Sequence, residues 1–84
     1  MPIQKNDELY AAVREVASAL ESSGATESAA ALRDALTIST LPGEVLGEVR
    51  MTLQCIRERE TNLAPHVQQR MDEAIAYINQ VLGR

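Results

Sequence analysis

Residues 42–60 read PGEVLGEVRMTLQCIRERE, and after a short break residues 65–82 read PHVQQRMDEAIAYINQVL. The first stretch carries Val45, Val49, Leu53 and Ile56, the second Val67, Met71, Ala74, Ile78 and Leu82, at spacings of three and four. A helix turns about 100° per residue, so each set lies along one side of a helix and gives it an apolar edge. Pro42 and Pro65 stand at the openings, where the missing N–H leaves no bond unmade and the fixed φ suits the first turn. Two long amphipathic helices are expected, over about 42–60 and 65–82.

Upstream, Leu9, Val13, Val16 and Leu20 repeat the pattern, and Ala29, Leu32 and Leu36 give a shorter, alanine-rich version. Helices are expected over about 6–23 and 26–38. Asn6 is the expected cap of the first, with Asp7 and Glu8 matching the positive end of its dipole. Ser22, Ser23 and Gly24 end it, with glycine placed to take a left-handed conformation. Thr26 and Thr40 are the expected caps of the second and third helices. The connections are short, which favours antiparallel neighbours. The expected fold is a single all-α domain: four antiparallel helices as two hairpins, with the third and fourth as the main scaffold.

Glu8, Leu9, Val13, Arg14 and Leu20 recur as Glu44, Val45, Val49, Arg50 and Ile56 at an offset of 36. Shared amphipathic spacing explains this without a repeat, because the second helix of each pair does not keep the register.

A chain of 84 residues without Phe or Trp has a thin core, since aromatic side chains supply much of the burial elsewhere. Self-association into a homodimer is the expected supplement. The net charge is −4, and it is spread: residues 1–40 carry three basic and six acidic side chains, residues 41–84 five and six. Nucleic-acid binders present a basic face, which this distribution lacks beyond a local grouping of Arg14, Arg50 and Arg57. Reading the second and third helices as a DNA-binding pair would set Glu44 and Glu48 against phosphates. No apolar run approaches the about 20 residues that cross a bilayer, and no lysine-rich amphipathic face suits a membrane surface. The lone cysteine, Cys55, has no internal disulfide partner, and no signal-peptide pattern opens the chain. A reduced, cytoplasmic setting is expected.

Catalytic and metal chemistry find little to build on. His66 is the single histidine and stands at a helix start without a sequence-adjacent nucleophile or orienting acid. Zinc needs several Cys or His ligands, and a di-metal bundle needs Glu-x-x-His motifs, which are missing. The acidic pairs Asp7/Glu8, Glu58/Glu60 and Asp72/Glu73 do not share a helical direction; Arg70 and Glu73 are spaced for an ion pair. No catalytic, cofactor-binding or metal residues are expected.

One stripe remains. Glu44, Glu48, Met51, Cys55 and Glu58 share a face of the third helix, well to one side of Val49 and Ile56. Three accounts compete for it: a widening of the internal apolar face against the first two helices, a homodimer seam, or a partner site with acidic flanks. Arg59, four residues beyond Cys55, is its one basic neighbour on that face. The expected function is non-enzymatic binding of another, basic protein, in the manner of a small acidic inhibitor, antitoxin or immunity-type protein. A structural homo-oligomerisation module and a small transcriptional regulator are the alternatives.

Overall fold

The computed structural model describes residues 3–83. Four helices follow in order, α1 (Asn6–Ser22), α2 (Thr26–Leu36), α3 (Pro42–Arg59) and α4 (Pro65–Val81), and no strand occurs among the described residues. α1 packs on α2 and α4, and α3 packs on α2 and α4; no close backbone approach joins α1 to α3 or α2 to α4. The helices therefore stand at four corners around one core, within an envelope of 31 × 25 × 20 Å. Cross-helix bonds give the direction of two pairs. Arg57 bonds Asp72 while Arg50 bonds Asn79, so descending α3 means ascending α4. Arg70 bonds Glu15 while Tyr77 bonds Asn6, which reverses α4 against α1 in the same way.

The core collects the apolar edges. Leu9, Val13, Val16 and Leu20 meet Ala29 and Leu32, then Val45, Val49, Leu53 and Ile56, then Val67, Met71, Ala74 and Ile78, and all are buried. Leu36 and Leu82 are only partly buried and pack at the margin. Ala35, Leu46, Tyr77 and Ile3 join the core beyond the expected set, Ile3 from the segment preceding α1. Each large aliphatic side chain buried this way contributes about 1.5–3 kcal/mol.

α1 and α2, rather than α3 and α4, share the most extensive backbone packing in the molecule. Their short side chains account for it. Ala12, Ala17, Ala29 and Ala35 are all buried, and alanine lets two helix backbones approach where leucine would hold them apart.

The expected caps are not used. α1 begins at Asn6 itself, with Lys5 preceding it and no side-chain cap. The Asn6 amide oxygen instead accepts from the Tyr77 hydroxyl at 2.6 Å, tying the start of α1 to α4, while Glu8 accepts from the Gln4 N–H at 2.8 Å. Thr26 is likewise the first residue of α2, not its cap, and Leu41 rather than Thr40 precedes α3. Before α3 the work falls to Ser39, whose hydroxyl accepts from the Leu41 N–H at 3.0 Å and donates to Glu44 at 2.7 Å. α2 stops at Leu36, because Thr37 turns both its N–H and its hydroxyl onto the Asp34 carbonyl.

The end of α1 behaves as its glycine requires. Gly24 has φ +94°, the Ala25 N–H reaches back to the Leu20 carbonyl at 2.8 Å, and the Gly24 N–H to Glu21 at 3.1 Å. This paired arrangement satisfies carbonyls that the last turn leaves without helical partners.

Candidate protein-binding face on the third helix

The five residues of the stripe share the outward side of α3. Around the axis they centre about 135° from the buried Val45, Val49, Leu53 and Ile56 edge. Met51 is 55% exposed, Cys55, Glu44 and Glu58 are exposed, and Glu48 is half-buried. Met51 and Cys55 thus do not widen the core against α1 or α2. α1 is not even adjacent to α3.

Charge is sorted around the same helix. Arg50 and Arg57 lie about 100–120° to one side of Met51, and Arg59 about 80° to the other. Arg50 donates to Asn79 at 3.0 Å and Arg57 to Asp72 at 3.1 Å, both on α4, while Arg59 donates to Ser28 of α2 at 2.9 Å. The arginines therefore lean onto neighbouring helices, and the middle of the outer face keeps only carboxylates. Glu44 holds a neutral donor, the Ser39 hydroxyl; the carboxylates of Glu48 and Glu58 bond to no side chain among the described residues. The grouping of Arg14 with Arg50 and Arg57 does not assemble, because α1 and α3 occupy opposite corners and Arg57 is paired with Asp72.

Gly47 lies on the flank of this face, one turn before Met51. A Cβ built there would meet nothing within 4 Å, so no neighbouring helix requires the glycine.

The rest of the surface offers polar clusters and grooves. Ser28 is 1% exposed, and its hydroxyl donates to Glu60 while accepting from Arg59, each at 2.9 Å. The cluster borders a cleft of about 590 Å³ between the α1–α2 turn and the end of α3. Spacing held the signal for this residue: Ser28 lies four before Leu32 and seven before Ala35, on the inward edge of α2. His66 is exposed and borders a groove of about 250 Å³ with Val16, Ala19, Val67, Glu15 and Arg70. Arg70 is held by Glu15 and by Glu73, each at 3.0 Å, which raises its own pKa and lowers that of the Glu73 carboxyl. Burial raises the pKa of the Tyr77 hydroxyl. Among the described residues no three His, Cys, Asp or Glu side chains converge to hold a metal ion, and no helix is long and apolar enough to cross a membrane.

Comparison with protein-family models, with curated proteins and with solved structures finds no match to this chain.

Proposed function

We propose that this chain is a non-enzymatic protein-binding module whose contact surface is the outer face of α3. One observation carries the reading: an exposed apolar centre, Met51 at 55%, stands among Glu44, Glu48 and Glu58 on a helix whose arginines are all engaged elsewhere. A long, flexible thioether adapts to an irregular partner surface, and flanking carboxylates select a basic one and speed encounter. Occlusion of a basic protein, as by an inhibitor, antitoxin or immunity-type protein, is the most concrete form of this role. The free, exposed thiol of Cys55 favours a reducing, cytoplasmic setting, where such a group persists.

The test compares the parent with Glu48→Lys/Met51→Asp. Both side chains lie outside the core, so the variant should keep its helical circular dichroism. Parent chain immobilised in a lysate of its own source should retain a basic protein that the variant loses. Retention by both proteins alike would remove the α3 face from the function.

A further inference from the structure

We infer that the α3 face receives a single amphipathic helix from a basic partner and not a second copy of this chain; this rests on the reading above and specifies its occupant. The spacing of the face supplies the first reason. Glu44, Glu48, Met51, Cys55 and Glu58 follow at four, three, four and three residues, the 3.5-residue rhythm by which one helix lies along another. The seam spans about 21 Å at 1.5 Å per residue, a length that about 14 helical residues of a partner would cover. Gly47 gives the second reason. A glycine with no intramolecular crowding, one turn from an exposed methionine, leaves room for a second backbone to approach.

Charge decides between occupants. In an antiparallel self-pairing centred between Met51 and Cys55, Glu48 of each copy would face Glu58 of the other. In a parallel self-pairing every glutamate would face itself. Like charges at such positions oppose association, and Arg50, Arg57 and Arg59 are already bonded to Asn79, Asp72 and Ser28. A foreign helix answers the pattern when cations stand opposite Glu48 and Glu58 and apolar residues opposite Met51 and Cys55. On that helix the cations fall at i and i+10, with the apolar residues at i+3 and i+7. Leu41, exposed immediately before α3, offers further apolar contact at the Glu44 end.

The probe is an alanine-rich helical peptide of about 21 residues with Lys at i and i+10 and Leu at i+3 and i+7, beside a twin carrying Glu for both lysines. Amide spectra of the labelled full chain follow the titrations, and sedimentation follows its mass. The lysine peptide should move the Gly47, Met51 and Cys55 amides and bind at least tenfold more tightly than its twin. Glu48→Lys/Glu58→Lys should invert that preference, and the parent should show no self-association that Met51→Asp abolishes. A dimer that Met51→Asp dissociates would overturn the inference in favour of a second copy. Equal binding of the two peptides, binding of neither, or shifts on other helices would overturn it as well. Failure here is separable from failure of the broader reading. If neither peptide binds but Glu48→Lys/Met51→Asp still loses the native basic protein, the face is a contact surface whose occupant is not a lone helix. If that variant also retains the protein, both ideas fall.

Discussion

Replacing Gly47 by alanine should make this protein more stable and, if the α3 face is a contact surface, worse at its task. Gly47 lies in the interior of an 18-residue helix, where glycine is about 0.8–1.0 kcal/mol less favourable than alanine. That penalty reflects backbone freedom lost on folding and is normally tolerated where a Cβ would collide. Here the added Cβ meets nothing within 4 Å, so no steric term opposes the gain. The expected stabilisation is about 1 kcal/mol, which for a domain of this size raises the melting temperature by about 4–8 °C. Urea unfolding followed by circular dichroism should show a higher midpoint with an unchanged slope, since the surface exposed on unfolding hardly alters. Gly24→Ala is the control of opposite sign. At φ +94° a side chain is strained, and the loss should be about 1–2 kcal/mol. A Gly47→Ala protein as stable as the parent, or less so, would overturn this expectation. It would mean that residue 47 is either not in regular helix or is crowded from a direction the four-cornered packing does not supply. Partner affinity is the second readout. Stability rising while binding falls is the pattern expected of a glycine kept for close approach.

Three further perturbations test the fold around the face. Leu53→Ala empties the fully buried centre of α3 and should cost about 2–5 kcal/mol, against about 4–12 kcal/mol expected for the whole domain, so its urea midpoint should fall steeply. Tyr77→Phe removes the bond to Asn6 and should cost about 0.5–1.5 kcal/mol at neutral pH. Because burial holds the folded hydroxyl above its ordinary value of 10.0, the stability linked to keeping Tyr77 neutral is present below pH 10 and is lost as the pH rises through the raised value. An alkaline stability profile should show that loss in the parent and not in the variant. Arg70→Gln removes the partner that lowers the Glu73 carboxyl. The stability supplied by this pair is present above the ordinary value of 4.5 and lost as pH falls through the lowered one, so parent and variant should converge in acid. Curves that stay parallel down to acid would contradict the pairing.

Spacing made the four helices legible, because burial of one edge per helix is a periodic demand that leaves a periodic trace. Gly24 was legible for a similar reason: the left-handed turn after α1 admits few residues. The caps were not. Asn6, Thr26 and Thr40 each suit a helix start by local chemistry, but Asn6 has a stronger claim across the bundle, where Tyr77 needs an acceptor for its buried hydroxyl. That claim depends on two residues 71 apart meeting, which no local rule contains. Ser39 presents the complementary case, since its link to Glu44 combines a turn bond with a helix-start carboxylate and could have been read from the five-residue spacing. The extent of the packing between α1 and α2 was also hidden, because counting leucines favours the longer helices while backbone approach is eased by alanines. For the α3 stripe, sequence established which residues share a direction but not which way that direction faces. A stripe beside an apolar edge is equally compatible with a wide core or an open surface. Only the placement of α1 at the far corner turned Met51 and Cys55 outward.

The charge of that surface is a matter of position and not of composition. Within Pro42–Arg59 the acidic residues are Glu44, Glu48 and Glu58 and the basic ones Arg50, Arg57 and Arg59, so the helix is neutral by count. Its arginines stand toward the neighbouring helices, within reach of Asn79 and Asp72 on one side and Ser28 on the other. A long stem with a branched head can cross that gap, and its aliphatic part covers apolar surface as it does so. Glutamate on the outer face has a shorter reach: Glu44 meets only the Ser39 hydroxyl, and the Glu48 and Glu58 carboxylates meet no cation among the described residues. The polarity around the axis is therefore coupled to the packing: any change that releases Arg50, Arg57 or Arg59 returns positive charge to the outer face and weakens its selection of a basic partner. Asp72→Asn and Asn79→Ala, both on α4 and outside the α3 face, should on this account reduce partner affinity with little loss of helix content. Substitutions of similar size that leave the arginines bonded should not.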